Sequence, residues 1–145
     1  TSKFQSQIVV MRQEVFEKNQ KMVVALSRGL AKATLFALTN PAAAQAILVK
    51  LAPAEYVDPK FGRLFLDTVI DLTKPPADLL AKGEFGRNSL EAWEAYQAFL
   101  ITGKTVADGA LEKPQDLQGF LTNELIAEIN NFDKERIRKM AREYR

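Results

Sequence analysis

Few side chains in this chain could bind or transform a small molecule, and the best candidate lies in one loop. Arg87 is found in residues 83–88, a predicted loop that contains two glycines. A guanidinium presents its N–H donors in a fixed fork that suits an anion. Arg87 is therefore the best single candidate for holding an anion, and the alternative interpretation is an ordinary surface arginine.

Three aromatic side chains follow this loop at helical spacing. Trp93, Tyr96 and Phe99 lie in a segment that is predicted to be a helix over residues 89–101. They could line a ligand pocket, or they could form core between helices. Both interpretations remain open from the sequence.

Residues suited to catalysis are scarce. The chain has no Cys and no His, which excludes Cys/His metal sites, thiol nucleophiles and a histidine general base. The acidic pairs Glu91/Glu94 and Asp67/Asp71 lie one helical turn apart, but neither has an apolar setting that would raise a pKa. No serine lies in a nucleophile elbow. We therefore expect no enzymatic activity and no cofactor or metal.

The composition is that of one folded domain. The chain has 145 residues, 47% of them apolar and 26% charged. A net charge of +2 is too small to indicate a nucleic-acid partner. Residues 1–12 lack the charged start and apolar core of a signal peptide. Arg28 and Lys32 interrupt the longest apolar run, so no membrane-spanning segment is predicted.

Residues 19–39 form the helix around which the chain is organised. The polar side chains of Lys21, Arg28, Lys32 and Thr39 lie on one narrow strip of its surface, and almost every other position is apolar. A helix with so wide an apolar surface must be covered on several sides. The rest of the chain, or something beyond it, is expected to cover it.

The remaining elements are predicted to be helical, with one exception. Caps and proline positions predict helices over residues 41–51, 59–73, 89–101, 122–130 and 134–145. A capping box at Asn88 and Glu91 should begin the third of these. Residues 8–11, Ile-Val-Val-Met, predict a single strand buried on both faces. The predicted class is mainly α, with one N-terminal strand and about six helices.

Two predicted helices have strongly charged faces. The helix over residues 59–73 has a face with Lys60, Arg63, Asp67 and Asp71, which is typical of a solvated surface. The last helix is basic outside its apolar stripe. Such a face could attract phosphate or membrane, or it could be solvated and complement the helix dipole.

Several segments together resemble the C-terminal part of the periplasmic substrate-binding proteins of ABC importers. The branch is the one that binds nitrate, sulfonates, taurine and thiamine-pyrimidine precursors. The resemblance covers nearly all of the chain, and its motifs occur in the family's order. They are residues 8–19, residues 29–37 with Asn40-Pro41, residues 93–100 with Thr102-Gly103, and residues 121–126 with Asn131-Phe132-Asp133.

This resemblance implies a two-lobed α/β fold that closes on a solute and delivers it to an ABC permease in the inner membrane. It implies a periplasmic location and a single segment over residues 1–145, with residues 1–12 as a hinge or sheet strand and residues 19–145 helical. The family's opening β-α units and second lobe have no counterpart here. The chain is therefore expected to be a fragment, or to be completed by a second copy.

The resemblance also suggests which residues lie near the ligand cleft. From their placement, and not from a fixed motif, these are Phe4, Gln5, Gln7, Arg87 and Trp93. The competing hypothesis is a self-contained helical interaction or regulatory module, in which the apolar helix faces form a partner groove.

Overall fold

The computed structural model describes residues 8–103 and 111–144, and these residues are mainly helical. They form eight α-helices, with a short 3-10 helix at Pro53–Tyr56 between the third and the fourth. The helices are α1 Gln13–Lys18, α2 Gln20–Thr39, α3 Pro41–Leu51, α4 Pro59–Thr73, α5 Ala77–Ala81, α6 Leu90–Gly103, α7 Ile126–Ile129 and α8 Lys134–Glu143. The prediction of a mainly α chain is confirmed.

The predicted N-terminal strand is not present over residues 8–12. These residues form neither helix nor strand, and Ile8, Val9 and Val10 are exposed. A strand needs a second strand to receive its backbone hydrogen bonds. None of the described residues supplies one. Residues 1–7, the rest of this prediction, lie outside the described residues.

Helix α2 is the centre of the packing. It contacts α1, α3, α4, α7 and α8. Its buried side chains are Val23, Val24, Ala31 and Leu35. Their spacing places them on one side of the helix, which faces the C-terminal helices α7 and α8. The predicted packing of other parts of the chain against this helix is confirmed.

The core consists of two small clusters along α2. The first joins Val23 and Val24 to Leu125, which lies just before α7. The second joins Ala31 and Leu35 to Phe85, a loop residue that is only 3% exposed. Residues that are distant in the sequence therefore close both clusters. A loop aromatic is part of the core, so the loop at residues 83–88 is held against the helices.

Three of the predicted caps are confirmed. The side chain of Asn40 accepts a hydrogen bond from the backbone N–H of Ala43, and Asp58 and Asp133 cap α4 and α8 in the same way. Asn19 makes no cap bond to α2 and instead donates its side-chain amide to the carbonyl of Val15. These caps fix where each helix begins and so set the lengths of the connecting loops.

Helix α2 has the length and composition of a membrane-spanning helix, contrary to the sequence-based prediction. It is 20 residues long and reaches a mean hydropathy of 1.4. Core helices and signal sequences share these properties. In this structure α2 is the central packing element, and its Arg28 donates two hydrogen bonds to the carbonyl of Glu128.

Candidate functional site

The loop at residues 83–88 leads from α5 towards α6 and contains the predicted anion-binding residue. Gly83 and Gly86 have φ angles of +64° and +83°, a region that favours glycine. These two positions let the chain turn twice within a few residues. The turns place Phe85 inward and leave the backbone of its neighbours close to the C-terminal helices.

The first attachment of this loop is made by Asn130. Its side-chain Oδ1 accepts the backbone N–H of Phe85 at 2.8 Å, and its Nδ2 donates to the carbonyl of Phe85 at 3.0 Å. The same Nδ2 donates to the carbonyl of Ile126 at 2.9 Å. One side chain therefore satisfies both backbone groups of a buried loop residue.

The second attachment repeats this arrangement three residues further along the loop. Asn123 Oδ1 accepts the backbone N–H of Asn88 at 2.8 Å, and Asn123 Nδ2 donates to the carbonyl of Asn88 at 2.9 Å. In return, Asn88 Nδ2 donates to the carbonyl of Thr122 at 3.0 Å. The loop is thus bonded at two points to the segment around α7.

Between these two attachments, Arg87 has an anionic partner within its own loop. Its guanidinium forms an ion pair with Glu84, including a bond from Nη2 to Oε2 of 3.2 Å. This hydrogen bond lowers the pKa of Glu84 and raises that of Arg87. The predicted anion-binding arginine is therefore present in an exposed loop, but an external anion has to compete with Glu84 for it.

Trp93 lies in the first turn of α6 and is half-buried. Its ring meets that of Tyr96 edge-on, with 6.2 Å between the ring centroids. The buried Nε1 of Trp93 has no hydrogen-bond acceptor among residues 8–103 and 111–144. A buried N–H donor without an acceptor costs free energy unless a water, an ion or a bound molecule satisfies it. Trp93 is therefore the strongest ligand-binding candidate among the described residues.

The start of α6, which positions Trp93, differs from the predicted capping box. The hydroxyl of Ser89 accepts the backbone N–H of Ala92 at 3.2 Å. The predicted cap residue, Asn88, uses its side chain on Thr122 instead. The reason is tertiary: the pairing of Asn88 with Asn123 removes it from the helix end, and the next residue takes over.

Arg87 and Trp93 lie on either side of the beginning of α6, and the structure describes both. A shallow cavity of about 160 Å³ lies near this point and is lined by Asn88, Leu90, Gln118, Leu121 and Asn123. This is smaller than the roughly 300–1,000 Å³ of most small-molecule sites. Phe4, Gln5 and Gln7, the other predicted ligand residues, lie outside the described residues.

A second depression, about 570 Å³, lies along the exposed side of α8. It is lined by Asp133, Glu135, Arg136, Lys139, Arg142 and Glu143. Acidic and basic side chains alternate there, which suits a solvated surface better than an anion site. Within residues 8–103 and 111–144, no group of three or more Asp or Glu side chains is arranged to hold a metal ion.

A second notable feature is the side of α2 that lies opposite its buried side. This side consists of apolar and small residues that are all exposed, and we call it the α2 apolar face. Its members are Met22, Ala25, Leu26, Gly29, Leu30 and Ala33. Apart from the adjacent backbone of α2 itself, no described atom lies within 4 Å of the position that a Cβ on Gly29 would occupy. The predicted need for covering on several sides is thus met on only one side by the described residues.

Sequence reasoning missed the two asparagine attachments and the extent of exposed apolar surface. Asn123 had a weak signal, since it occurs in residues 121–126, which are part of the family resemblance; Asn130 lies outside the residues that carry it. Their partners, however, are 35 and 45 residues away, and no local pattern links them.

No protein-family model, no curated protein and no solved structure matches this chain.

Proposed function

We propose that this chain is the C-terminal part of the solute-binding component of an ABC importer. In this proposal, the whole protein captures a small anionic or heterocyclic nutrient in the periplasm and delivers it to an ABC permease. The role is binding without catalysis. The sequence resemblance described above motivates the proposal, and the packing of α2 supports it.

The observation that carries the proposal is the α2 apolar face. Met22, Leu26 and Leu30 are each about half exposed, and the face extends over three turns without a charge. Contiguous exposed apolar surface marks a site of contact with another element or partner. A helix that is apolar on two opposite sides is expected to be packed between two other elements.

The proposed ligand contact is the indole N–H of Trp93. No described residue supplies an acceptor to this donor, and a solute with a carboxylate, sulfonate, nitrate or ring nitrogen would supply one. Arg87, at the other side of the start of α6, would contribute positive charge once an anion displaces Glu84. Phe4, Gln5 and Gln7 remain candidates by their position in the sequence.

The first test is the reading frame that contains these residues. A frame that continues upstream into β-α units and a leader peptide supports the proposal. A start codon directly before Thr1 overturns it in favour of the self-contained helical interaction module. In that case the α2 apolar face would be a groove or surface for a partner helix.

The second test measures binding by the complete gene product with isothermal titration calorimetry. The probes are taurine, nitrate and an aminopyrimidine, each titrated separately. We expect one of them to bind and Trp93→Phe, which removes the indole N–H together with part of the ring, to weaken its binding about tenfold. Arg87→Ala tests the charge contribution, and Leu51→Ala, at an exposed position on α3, is the control.

The outcomes of this titration separate the function from the site. If none of the three probes binds the complete protein, the proposed solute class is wrong. If a probe binds and Trp93→Phe has unchanged affinity, the function stands and Trp93 is not a ligand contact. Unchanged affinity in Arg87→Ala likewise removes Arg87 from the site.

A further inference from the structure

Helix α4 has three distinct faces, of which one is apolar and uncovered. Gly62 and Leu66 are buried, with Gly62 packed against the ring of Tyr56. A second face carries the charged residues. The third face, which we call the α4 apolar face, has exposed fractions of 61% at Phe61, 65% at Leu64, 51% at Phe65 and 41% at Leu72. Two exposed phenylalanines on one helix are unusual for a surface that meets only water.

The charges along the neighbouring edge of α4 have a defined order. Lys60 and Arg63 lie in its first half, and Asp67 and Asp71 lie in its second half. Arg63 pairs with Asp67 at 2.8 Å within the helix. Lys60 Nζ and the Asp71 carboxylate have no hydrogen bond or ion pair with any described residue. The two ends of this edge therefore carry unpaired charges of opposite sign.

This order is complementary to itself when the helix is reversed. Two α4 helices packed antiparallel about a two-fold axis place the first turn of one beside the last turn of the other. Lys60 of one copy then lies beside Asp71 of the other, and Phe61 beside Leu72. Phe65 lies near the axis. In a parallel two-fold pair the two charged edges would lie on opposite sides of the interface, so these ion pairs could not form.

We propose that the α4 apolar face is an interface with a second copy of this chain, formed by antiparallel packing of the two α4 helices. The charge order argues for a second copy, because the same edge supplies both halves of each ion pair. The interface is a different surface from the α2 apolar face, and it does not depend on the proposed transport function.

The size of this surface predicts a weak dimer. One helix pair buries less than the about 1,200–2,000 Å² of a standard stable interface. We therefore expect a dissociation constant in the micromolar range and a monomer–dimer equilibrium that depends on concentration. Sedimentation velocity and light scattering on the 145-residue chain, from low micromolar to near-millimolar concentration, measure this equilibrium.

Substitution in the apolar face provides the first test. Phe65→Glu places a charge near the axis in both copies and should abolish the dimer. Phe120→Glu is the control, since Phe120 is also an exposed aromatic (77%) but lies outside α4. Circular dichroism confirms that both variants keep their helices. A wild-type chain that stays monomeric throughout, or a dimer that survives Phe65→Glu, overturns the proposal.

Charge reversal tests the antiparallel arrangement. Lys60→Glu and Asp71→Lys each create two like-charge contacts per dimer, and each should weaken association about tenfold at low salt. The double variant restores both pairs with reversed sign and should regain wild-type affinity. Lys113→Glu, at an exposed position in the connector before α7, is the control. Additive weakening in the double variant contradicts the proposed register.

Cross-linking gives an independent geometric test, because the chain has no cysteine of its own. An equimolar mixture of Phe61→Cys and Leu72→Cys chains should form a mixed disulfide dimer under mild oxidation. Each variant alone should cross-link little, since in the antiparallel pair its thiols lie at opposite ends. Efficient cross-linking of Phe61→Cys with itself indicates a parallel pair and overturns the proposal.

Discussion

The side chain of Asn130 binds the backbone of Phe85 as a neighbouring β-strand would. Its Oδ1 accepts the Phe85 N–H at 2.8 Å, and its Nδ2 donates to the Phe85 carbonyl at 3.0 Å. Phe85 is 3% exposed, so water has little access to these backbone groups. The pair joins the loop before α6 to the residues between α7 and α8. We infer that this pair of hydrogen bonds holds the loop at residues 83–88 in place.

Asn130→Ala is predicted to destabilise the fold. It leaves the backbone N–H and carbonyl of Phe85 without their partner, which costs about 1–3 kcal/mol in the free energy of unfolding. Urea denaturation followed by circular dichroism measures the change. Asn131→Ala is the matched control, because Asn131 is exposed and its side chain bonds to no described residue. Equal stability of the two variants would contradict the role of Asn130.

Asn123→Ala is predicted to cost less than Asn130→Ala, although the hydrogen bonds are alike. The bonds between Asn123 and Asn88 are exposed, so water replaces the lost partner. The expected loss is at most about 1 kcal/mol. The same variant should increase hydrogen exchange at the Asn88 amide, which NMR measures residue by residue. If Asn123→Ala lowers the free energy of unfolding as much as Asn130→Ala does, the hydrogen bonds between Asn123 and Asn88 are buried in solution.

The helices could be predicted from the sequence because their signals are local. Asn40, Asp58 and Asp133 each act on a backbone N–H two or three residues later, so the spacing alone identifies them. The second role of Asn40, donation from Nδ2 to the carbonyl of Ala141 at 2.8 Å, spans 101 residues. No local pattern carries such a contact, and the sequence did not predict it.

The strand prediction failed for a related reason. Apolar β-branched residues at positions 8–11 satisfy the pattern of a buried strand, but a strand forms only where a second strand meets it. The described residues include no such strand.

At the candidate site, the sequence identified Arg87 and Trp93 by residue type. It did not predict that Glu84 would pair with Arg87, nor that the Trp93 Nε1 would have no acceptor among the described residues.

Two glycines in helices are predicted to respond oppositely to alanine. In Gly62→Ala the new Cβ would lie 2.4 Å from Cδ1 of the rigid, buried Tyr56 ring, so we expect a loss of about 1–3 kcal/mol. In Gly29→Ala the Cβ meets no described atom within 4 Å apart from the adjacent backbone of α2, and helix propensity should stabilise α2 by about 0.5–1 kcal/mol. Urea denaturation of both variants measures these differences.

The glycine pair also tests whether the α2 apolar face is open in solution. If Gly29→Ala destabilises the 145-residue chain, some element must approach that side of α2 closely. If Gly62→Ala leaves stability unchanged, Tyr56 does not pack against α4 as described. The stabilising result at Gly29 together with the destabilising result at Gly62 agrees with the structure.

The ion pair between Glu84 and Arg87 predicts a stability difference that depends on pH. The hydrogen bond from Arg87 lowers the pKa of the Glu84 carboxyl in the folded chain. In the unfolded chain this carboxyl has an ordinary pKa of about 4.3. The stabilisation is therefore fully present above about pH 5 and is lost as the pH falls through the lower, folded-state pKa. Arg87 stays protonated throughout, so Glu84 alone sets this range.

The measurement compares the melting temperatures of wild type and Glu84→Gln at neutral pH and near pH 3. Wild type should melt higher at neutral pH, and the difference should shrink in acid as Glu84 becomes protonated and its ion pair with Arg87 is lost. Both side chains are partly exposed, so added salt should also reduce the difference. In an Arg87→Ala background, Glu84→Gln should have little effect at either pH. A pH-dependent difference that persists in that background would assign the stabilisation to another partner of Glu84.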